Sequence, residues 1–220
     1  HIRANDMILD QERRLYEKKI PAAIEFASTN NINKYLWKSN KKKLGIIGTG
    51  KGFSDTLDSL EMLGINKKSS KELGIHLLKV GMSWPIDKEK IEKFSSGLDE
   101  VIIIEEKRSF LESHIRNHLY NFKNKPKRII GKLDENNNRL IKESFTLLKS
   151  DVKDVLASRI SKNCNYELSK PNISFNEKPL LSDKNYTERS PYFCSGCPHN
   201  TSTRIPEGSK AMAGIGCHFM

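Results

Sequence analysis

The residues best suited to chemistry are three cysteines near the end of the chain. The set consists of Cys194, Cys197 and Cys217, spaced C-x2-C-x19-C, with His199 and His218 beside them. Two cysteines separated by two residues can direct both sulfurs at one ion when the chain between them turns, and Gly196 can adopt the positive φ that such a turn needs. The pair is therefore typical of half of a metal site, a redox disulfide or half of an iron-sulfur site.

Three thiolates are one ligand short of a closed four-ligand site. The missing ligand is His199, His218 or a cysteine beyond Met220. A structural zinc ion fits this set, whereas a thioredoxin-like redox pair leaves Cys217 without a role. An iron-sulfur cluster uses all three cysteines. Because the chain starts at His1 and stops within the motif, we expect it to be an internal fragment of a longer polypeptide.

Short apolar strands alternate with helices in the sequence before these cysteines. We predict strands at residues 44–47, 75–80, 101–104 and 128–133, and helices at 53–63, 88–94, 110–122 and 152–160, with Asp87 as an N-cap. This alternation predicts a parallel sheet with helices on both faces. Residues 10–27 have near-helical apolar spacing interrupted by Pro21, which predicts two short helices.

The same patterns divide the chain into four segments. Residues 1–40 are expected to end or follow an upstream domain, and residues 41–161 form the α/β domain. Residues 162–189 are polar, contain two prolines and are typical of an interdomain linker. Residues 190–220 begin a further, truncated domain.

Several motifs stand in a distinctive order. They are YFCSGCPHNTST at 192–203, IPEGS at 205–209 and GIGCH at 214–218, preceded by LGIIGTGK at 44–51, LKVGMSWP at 78–85 and EEKR at 105–108. Together they resemble the indolepyruvate branch of the 2-oxoacid:ferredoxin oxidoreductase family in its fused bacterial form. The resemblance implies an α/β fold, in which a transketolase C-terminal-like parallel-sheet domain precedes the start of a thiamine-diphosphate-binding α/β domain.

The resemblance also implies a set of site residues. Cys194, Cys197 and Cys217 would be three metal ligands of a [4Fe-4S] cluster, with a fourth cysteine further along the parent chain. His199, Cys217 and His218 would lie beside thiamine diphosphate. His199 stands where pyruvate-type relatives usually have Glu, but His fits the indolepyruvate branch. The site for the diphosphate and Mg²⁺ would lie outside the fragment, which contains no catalytic residue and alone should be inactive.

The implied reaction is the oxidative decarboxylation of an arylpyruvate, a 2-oxoacid such as indolepyruvate, to an acyl-CoA. Coenzyme A would take the acyl group and ferredoxin the electrons, and the enzyme would be a homo-oligomer. A binding module from another class is the alternative. It would combine a flavodoxin-like domain with a structural zinc knuckle and have no catalytic activity.

Composition limits the partners and the compartment. The 220 residues carry 38 basic and 27 acidic side chains, a formal charge of +11. The basic residues form short scattered groups without a series of aromatic side chains for base stacking, so we expect no nucleic-acid partner. No apolar run approaches the roughly eighteen residues of a membrane span, so we expect no membrane partner. Clustered cysteines favour a reducing compartment, and we expect the cytoplasm.

Four further features could have a functional or a structural role. The segment 48–52, GTGKG, is typical of a structural turn more than of a nucleotide loop, because it lacks the P-loop spacing. The EEKR motif at 105–108 favours an ion pair at a domain interface over a catalytic carboxylate. His114 and His118 have a helical metal spacing but no third ligand, and Cys164 is expected to be a free thiol in the linker.

Overall fold

A five-stranded sheet organises the first of the two units into which the chain divides, residues 1–175 and residues 176–220. The structure, a computed structural model, describes residues 7–166, 192–212 and 216. The strands are β1 (Lys34–Trp37), β2 (Leu44–Thr49), β3 (Ile75–Val80), β4 (Glu100–Ile104) and β5 (Arg128–Ile130). The helices are α1 (Ile8–Arg14), α2 (Ile20–Thr29), α3 (Gly50–Met62), α4 (Lys67–Leu73), α5 (Lys88–Ser95), α6 (Leu111–Leu119), α7 (Lys149–Cys164) and α8 (His199–Ser202).

The strand order is β1-β3-β2-β4-β5, and all neighbours pair in parallel except β1, which runs antiparallel to β3. Because parallel strands need crossover connections, helices lie between them in sequence and cover the sheet. Strands buried on both faces should be apolar throughout, and every residue of β4 is buried. The predicted α/β class with a mainly parallel sheet is confirmed.

Successive residues of the central strands supply two separate cores. In β2, Ile46 belongs to the core that contains residues of α3 and α7, whereas Ile47 belongs to the core that contains residues of α5 and α6. The register carries this alternation across the sheet, since Ile46 pairs with Leu77 and Ile102. Side chains of a strand point to opposite faces in turn, so one apolar run fills both cores.

The helix α3 begins earlier than the sequence predicts. Residues 50–52 form its first turn, not a loop before it. A Cβ on Gly52 would lie 2.9 Å from the carbonyl oxygen of Ile104, so the glycine allows this helix to approach β4 closely. The approach brings the start of α3 to the carboxyl edge of the sheet.

Two predicted boundaries at the end of the domain also change. Strand β5 stops at Ile130 because the backbone amide of Lys132 donates to the Glu112 carboxylate at 3.0 Å. That bond takes the chain away from the sheet. The last helix extends from Lys149 through Cys164, further at both ends than its apolar residues indicate.

Two elements do not follow from hydrophobic periodicity. The edge strand β1 is short and only partly buried. The helix α4 contains mainly polar residues, but Asn66 and Ser69 form a capping box before it and Gly74 ends it at φ 85°. Both caps were readable in the sequence as helix signals.

The segment before the sheet is helical on both sides of Pro21, as predicted, but it is not broken there. A π-helical turn at Leu15–Lys19 joins α1 to α2. In a regular helix the ring of Pro21 would clash with the carbonyl of Glu17, four residues earlier, and Glu17 lies within the π-helical turn. None of the helices in the described ranges is long and apolar enough to cross a bilayer.

Candidate metal and cofactor site

Cys194 and Cys197 lie at the two ends of a tight turn. The amide of Cys197 donates to the carbonyl oxygen of Cys194 at 3.0 Å, and Gly196 between them has φ 76°. Few residues with a side chain tolerate this left-handed conformation, so the prediction that Gly196 enables the turn is confirmed. Both cysteines are free thiols, Cys194 exposed and Cys197 half-buried, and therefore accessible to a ligand.

Asn200 fixes this turn from the following helical turn. Its side-chain amide donates to the carbonyl oxygen of Cys194 at 3.0 Å, and its backbone amide donates to that of Cys197, also at 3.0 Å. One residue thus holds the carbonyls of both cysteines, which orients the chain on either side of Gly196. The sequence alone did not indicate this role. The available signal was an Asn shortly after the C-x-x-C pair, since Asn side chains often bond to nearby backbone.

His199 begins the one-turn helix α8 and is exposed. Its Nδ1 lies 3.3 Å from the hydroxyl of Ser202, and its ring centroid lies 5.6 Å from that of Phe193. These local contacts orient the imidazole next to the cysteine turn. Three of the predicted site residues, Cys194, Cys197 and His199, thus lie in one short segment, where the sequence already placed them.

The other two predicted residues, Cys217 and His218, lie outside the described residues, and their ligand roles stay predictions. In the described parts of the chain, no group of three or more His, Cys, Asp or Glu side chains converges as a metal site would require. Two thiols can supply half of a four-ligand site. Every residue from 192 to 212 is at least partly exposed, so this stretch contributes no buried core of its own.

The GTGKG segment at the carboxyl edge of the sheet has a structural role, although residues 50–52 form the first turn of α3 and not a separate turn. The ammonium group of Lys51 lies 2.5 Å from Asp55 and 2.6 Å from the carbonyl oxygen of Leu147. Asp55 is almost completely buried. The lysine that a phosphate loop would present to a ligand instead ties α3 to the chain just before α7.

Glu105 follows β4, but its carboxylate is not exposed as a catalytic group would be. Within the described residues it also does not form an ion pair at a domain interface. Its carboxylate accepts hydrogen bonds from the amides of Leu111 and Glu112 at 2.8 and 3.0 Å. These donors belong to the first turn of α6, where helix amides lack intrahelical partners. The predicted interface ion pair is therefore wrong for Glu105, which caps a helix within the first unit.

The remaining candidates have structural roles. His114 donates from Nδ1 to the carbonyl oxygen of Phe110 at 2.8 Å, and among the described residues no third ligand completes a metal site with it and His118. Cys164 is a free thiol, as predicted, but it ends α7 and packs against the core. Burial raises the pKa of this thiol to about 11, which keeps it protonated and weakly reactive.

Comparison with known proteins yields relatives of one kind. A protein named indolepyruvate oxidoreductase subunit IorA from Methanothermobacter marburgensis is 26% identical over 187 residues, which cover 85% of this chain and 26% of that protein. The subunit of the same name from Thermococcus kodakarensis is 26% identical over 196 residues, covering 84% of this chain and 27% of its own length. The chain thus spans about a quarter of the length of these relatives.

Solved structures are similar over part of the chain. A split-gene transketolase, in the form of an inactive tetramer (beta4), has a TM-score of 0.41 and 14% identity. The likeness covers 60% of this chain and 42% of that chain. The 2-oxoglutarate:ferredoxin oxidoreductase of Magnetococcus marinus has a TM-score of 0.38 and 12% identity, over 64% and 23% of the two chains.

The family model of the indolepyruvate oxidoreductase domain matches residues 34–172, which include the whole five-stranded sheet and all of α7. Because the match covers more than half of the 220 residues, the chain belongs to the indolepyruvate oxidoreductase family.

Proposed function

We propose that the chain is part of an enzyme that oxidatively decarboxylates an arylpyruvate, with indolepyruvate as the favoured substrate, to an acyl-CoA. Membership of the indolepyruvate oxidoreductase family supports the oxidoreductase class. The observation that carries the proposal is the cysteine turn, in which two free thiols are held ready for a metal by Gly196 and Asn200.

The donor set fits an iron-sulfur cluster better than a hard cation. Cys194 and Cys197 present soft sulfur ligands, and the described residues around them add no carboxylate cluster that would favour Mg²⁺. In this proposal, Cys194, Cys197 and Cys217 bind the [4Fe-4S] cluster. A fourth ligand comes from the rest of the parent protein or from one of the two histidines.

The chain's own residues orient the site. Asn200 and Gly196 set the direction of the two thiols, while His199, Cys217 and His218 would contact thiamine diphosphate. When bound, thiamine diphosphate supplies the electron sink for loss of CO₂, and the cluster supplies one-electron transfer to ferredoxin. The fragment has no residue that we assign to the bond-breaking step.

The partners of the parent protein belong to the same proposal. The reaction balances when two electrons pass to ferredoxin, CO₂ and one proton are released, and coenzyme A takes the acyl group. Mg²⁺ holds the diphosphate at residues outside this chain. Homo-oligomeric assembly in the cytoplasm completes the proposal, and a role in binding nucleic acid or a membrane has no part in it.

Metal analysis of the parent protein tests the assignment. After anaerobic purification, we expect iron and acid-labile sulfide, and we expect Cys197→Ala to remove both together with ferredoxin reduction. Cys164→Ala is the matched control, because it removes a thiol that packs against the core of the first unit. Its cluster content should equal that of the unmodified protein.

The zinc-containing binding module remains the second candidate, since a turned pair of free thiols is also half of a structural zinc site. Stoichiometric zinc without labile sulfide would establish that alternative. Thiamine diphosphate binding should survive in Cys197→Ala if the enzyme proposal is right, because Mg²⁺ and residues elsewhere hold the diphosphate.

A further inference from the structure

A pocket of about 590 Å³ lies in the first unit, between the loop that joins β1 to β2 and helix α5. Its volume falls within the range typical of small-molecule sites. The residues that line it are Asn31, Tyr35, Lys38, Ser39, Asn40, Lys42, His76, Lys90 and Lys93. Four of the nine are lysines and none is a carboxylate.

The four lysines reach the pocket from two different elements. Lys38 and Lys42 belong to the loop between β1 and β2, and Lys90 and Lys93 belong to α5. They are therefore not a single solvated stripe along one helix. Their convergence depends on how the loop and the helix pack against the same side of the sheet.

Several lysines elsewhere in the described part of the unit pair with carboxylates, whereas these four do not. Lys43 pairs with Asp99 at 3.3 Å, and Lys149 pairs with Asp58 at 2.5 Å. On α5 itself, Glu92 pairs with Lys88 at 3.6 Å and does not line the pocket. Within residues 7–166, none of the four pocket lysines forms an ion pair; Lys90 donates to the neutral Asn31 side chain at 2.7 Å.

Two of the lining residues, the half-buried Tyr35 and the buried His76, are in contact with each other. The Tyr35 hydroxyl lies 2.6 Å from His76 Nδ1, and His76 Nε2 lies 2.9 Å from the carbonyl oxygen of Lys41. A carbonyl can only accept, so Nε2 carries a proton. When the imidazole is neutral, Nδ1 accepts and Tyr35 donates to it.

Both rings stay uncharged near neutral pH. Burial lowers the pKa of His76, and the nearby charge of Lys42 acts in the same direction against a bond to backbone that raises it. Burial also raises the pKa of Tyr35 to about 12. No group that lines the pocket can then supply a negative charge to balance the lysines.

We propose that this pocket binds a small molecule carrying two or more phosphate charges. Ammonium groups bind phosphate oxygens as point charges from several directions, which suits lysines on two elements. Tyr35 donates to His76, so its oxygen can accept but not donate, and the lysines make the contacts to the anion. The site is separate from the cysteine segment in sequence and does not depend on the proposed function.

Titration of the 220-residue chain with inorganic diphosphate in low-salt buffer tests the proposal. We expect saturable 1:1 binding by calorimetry, together with a shift of the His76 ring resonances. Lys42→Gln combined with Lys93→Gln should weaken binding at least about tenfold, because two of the charges facing the ligand are lost. Raising the salt concentration should also weaken binding, because exposed ammonium groups are screened.

The control is Lys67→Gln combined with Lys68→Gln, which removes the same charge from exposed positions of α4. It should bind diphosphate as the unmodified chain does, and circular dichroism should show both double variants folded. Equal weakening in the two variants would show a general effect of net charge and overturn the site. Absence of saturable binding, or binding only of a poly-glutamate peptide, would overturn it as well.

Discussion

Single side chains decide the geometry of the candidate metal site. The sequence indicated the cysteines and His199, but Asn200 adds two contacts that stabilise the turn, one to each cysteine carbonyl. Its effect is indirect, since it bonds to backbone and not to a metal. It is therefore a positioning residue, and its importance depends on a folded turn that Gly196 allows.

His76 supplies a pH-dependent contribution to stability. Burial lowers its pKa below the ordinary value of 6.5, so the unfolded chain takes up a proton at a higher pH than the folded chain does. Stability from the neutral ring is then fully present above pH 6.5 and is lost as the pH falls through the folded pKa. Urea unfolding at pH 7.5 and pH 5.5 should show a larger loss for the unmodified chain than for His76→Gln. Parallel losses in the two proteins would refute this explanation.

At the scale of elements, an ionic network attaches α7 to the sheet. Arg159 on α7 donates from Nε to the carboxylate of Glu100 on β4 at 2.8 Å, and Arg128 on β5 donates to it at 2.9 Å. Burial of Glu100 opposes ionisation, but these bonds outweigh it and hold the pKa below its ordinary value. The helix is thus positioned by charge at this end and by apolar contacts along its length.

Removing one partner of the buried Glu100–Arg159 ion pair should lower the free energy of unfolding far more than removing one partner of an exposed ion pair. Glu100 is 0% exposed and Arg159 only 5%, so Arg159→Ala leaves part of a buried charge without its partner. We expect a loss of about 3 kcal/mol in the free energy of unfolding. Lys127→Ala is the control, because Lys127 is 76% exposed in its pair with Asp99 and should cost less than about 1 kcal/mol. Urea unfolding by circular dichroism measures both, and similar losses would contradict the assigned difference.

At the scale of the whole molecule, the first unit contains both apolar cores and its own buried ion pairs and hydrogen bonds. The cores contain 28 buried residues, 16 in one and 12 in the other, and the sheet divides them. The cysteine-containing unit shows no buried residue between 192 and 212. The two units therefore differ in what stabilises them, and we expect the second to depend on a metal or on the rest of the parent protein.

The first unit should fold without any cofactor. The predicted domain at 41–161 omits β1, which covers the edge of β3, and Asn163, which donates to Glu100 at 3.0 Å. We therefore expect residues 34–166 to unfold cooperatively and at a higher urea concentration than residues 41–161. Circular dichroism of the two fragments tests this. Equal midpoints would show that β1 and the end of α7 add no stability, and a random coil for 34–166 would overturn the prediction of autonomous folding.

The sequence by itself determined the features that depend on neighbouring residues. Continuous apolar runs identified the buried strands, Asp87 marked the start of α5 by accepting from the amide of Lys90, and Gly196 marked the cysteine turn. In each case the physical cause lies within a few residues, in backbone conformation or a cap. The family motifs extended this local information to membership of a family.

Only the tertiary structure decided which distant groups meet. It brought the Glu105 carboxylate to the amides of α6 and the Lys51 ammonium group to the carbonyl oxygen of Leu147 before α7. It also brought four lysines to one pocket that Tyr35 and His76 line as well. Short-range patterns carry no information about such contacts, because they depend on the strand order and on which face each helix covers. An exposed basic residue therefore looks the same in sequence whether it is solvated, paired with an acid or directed into a pocket.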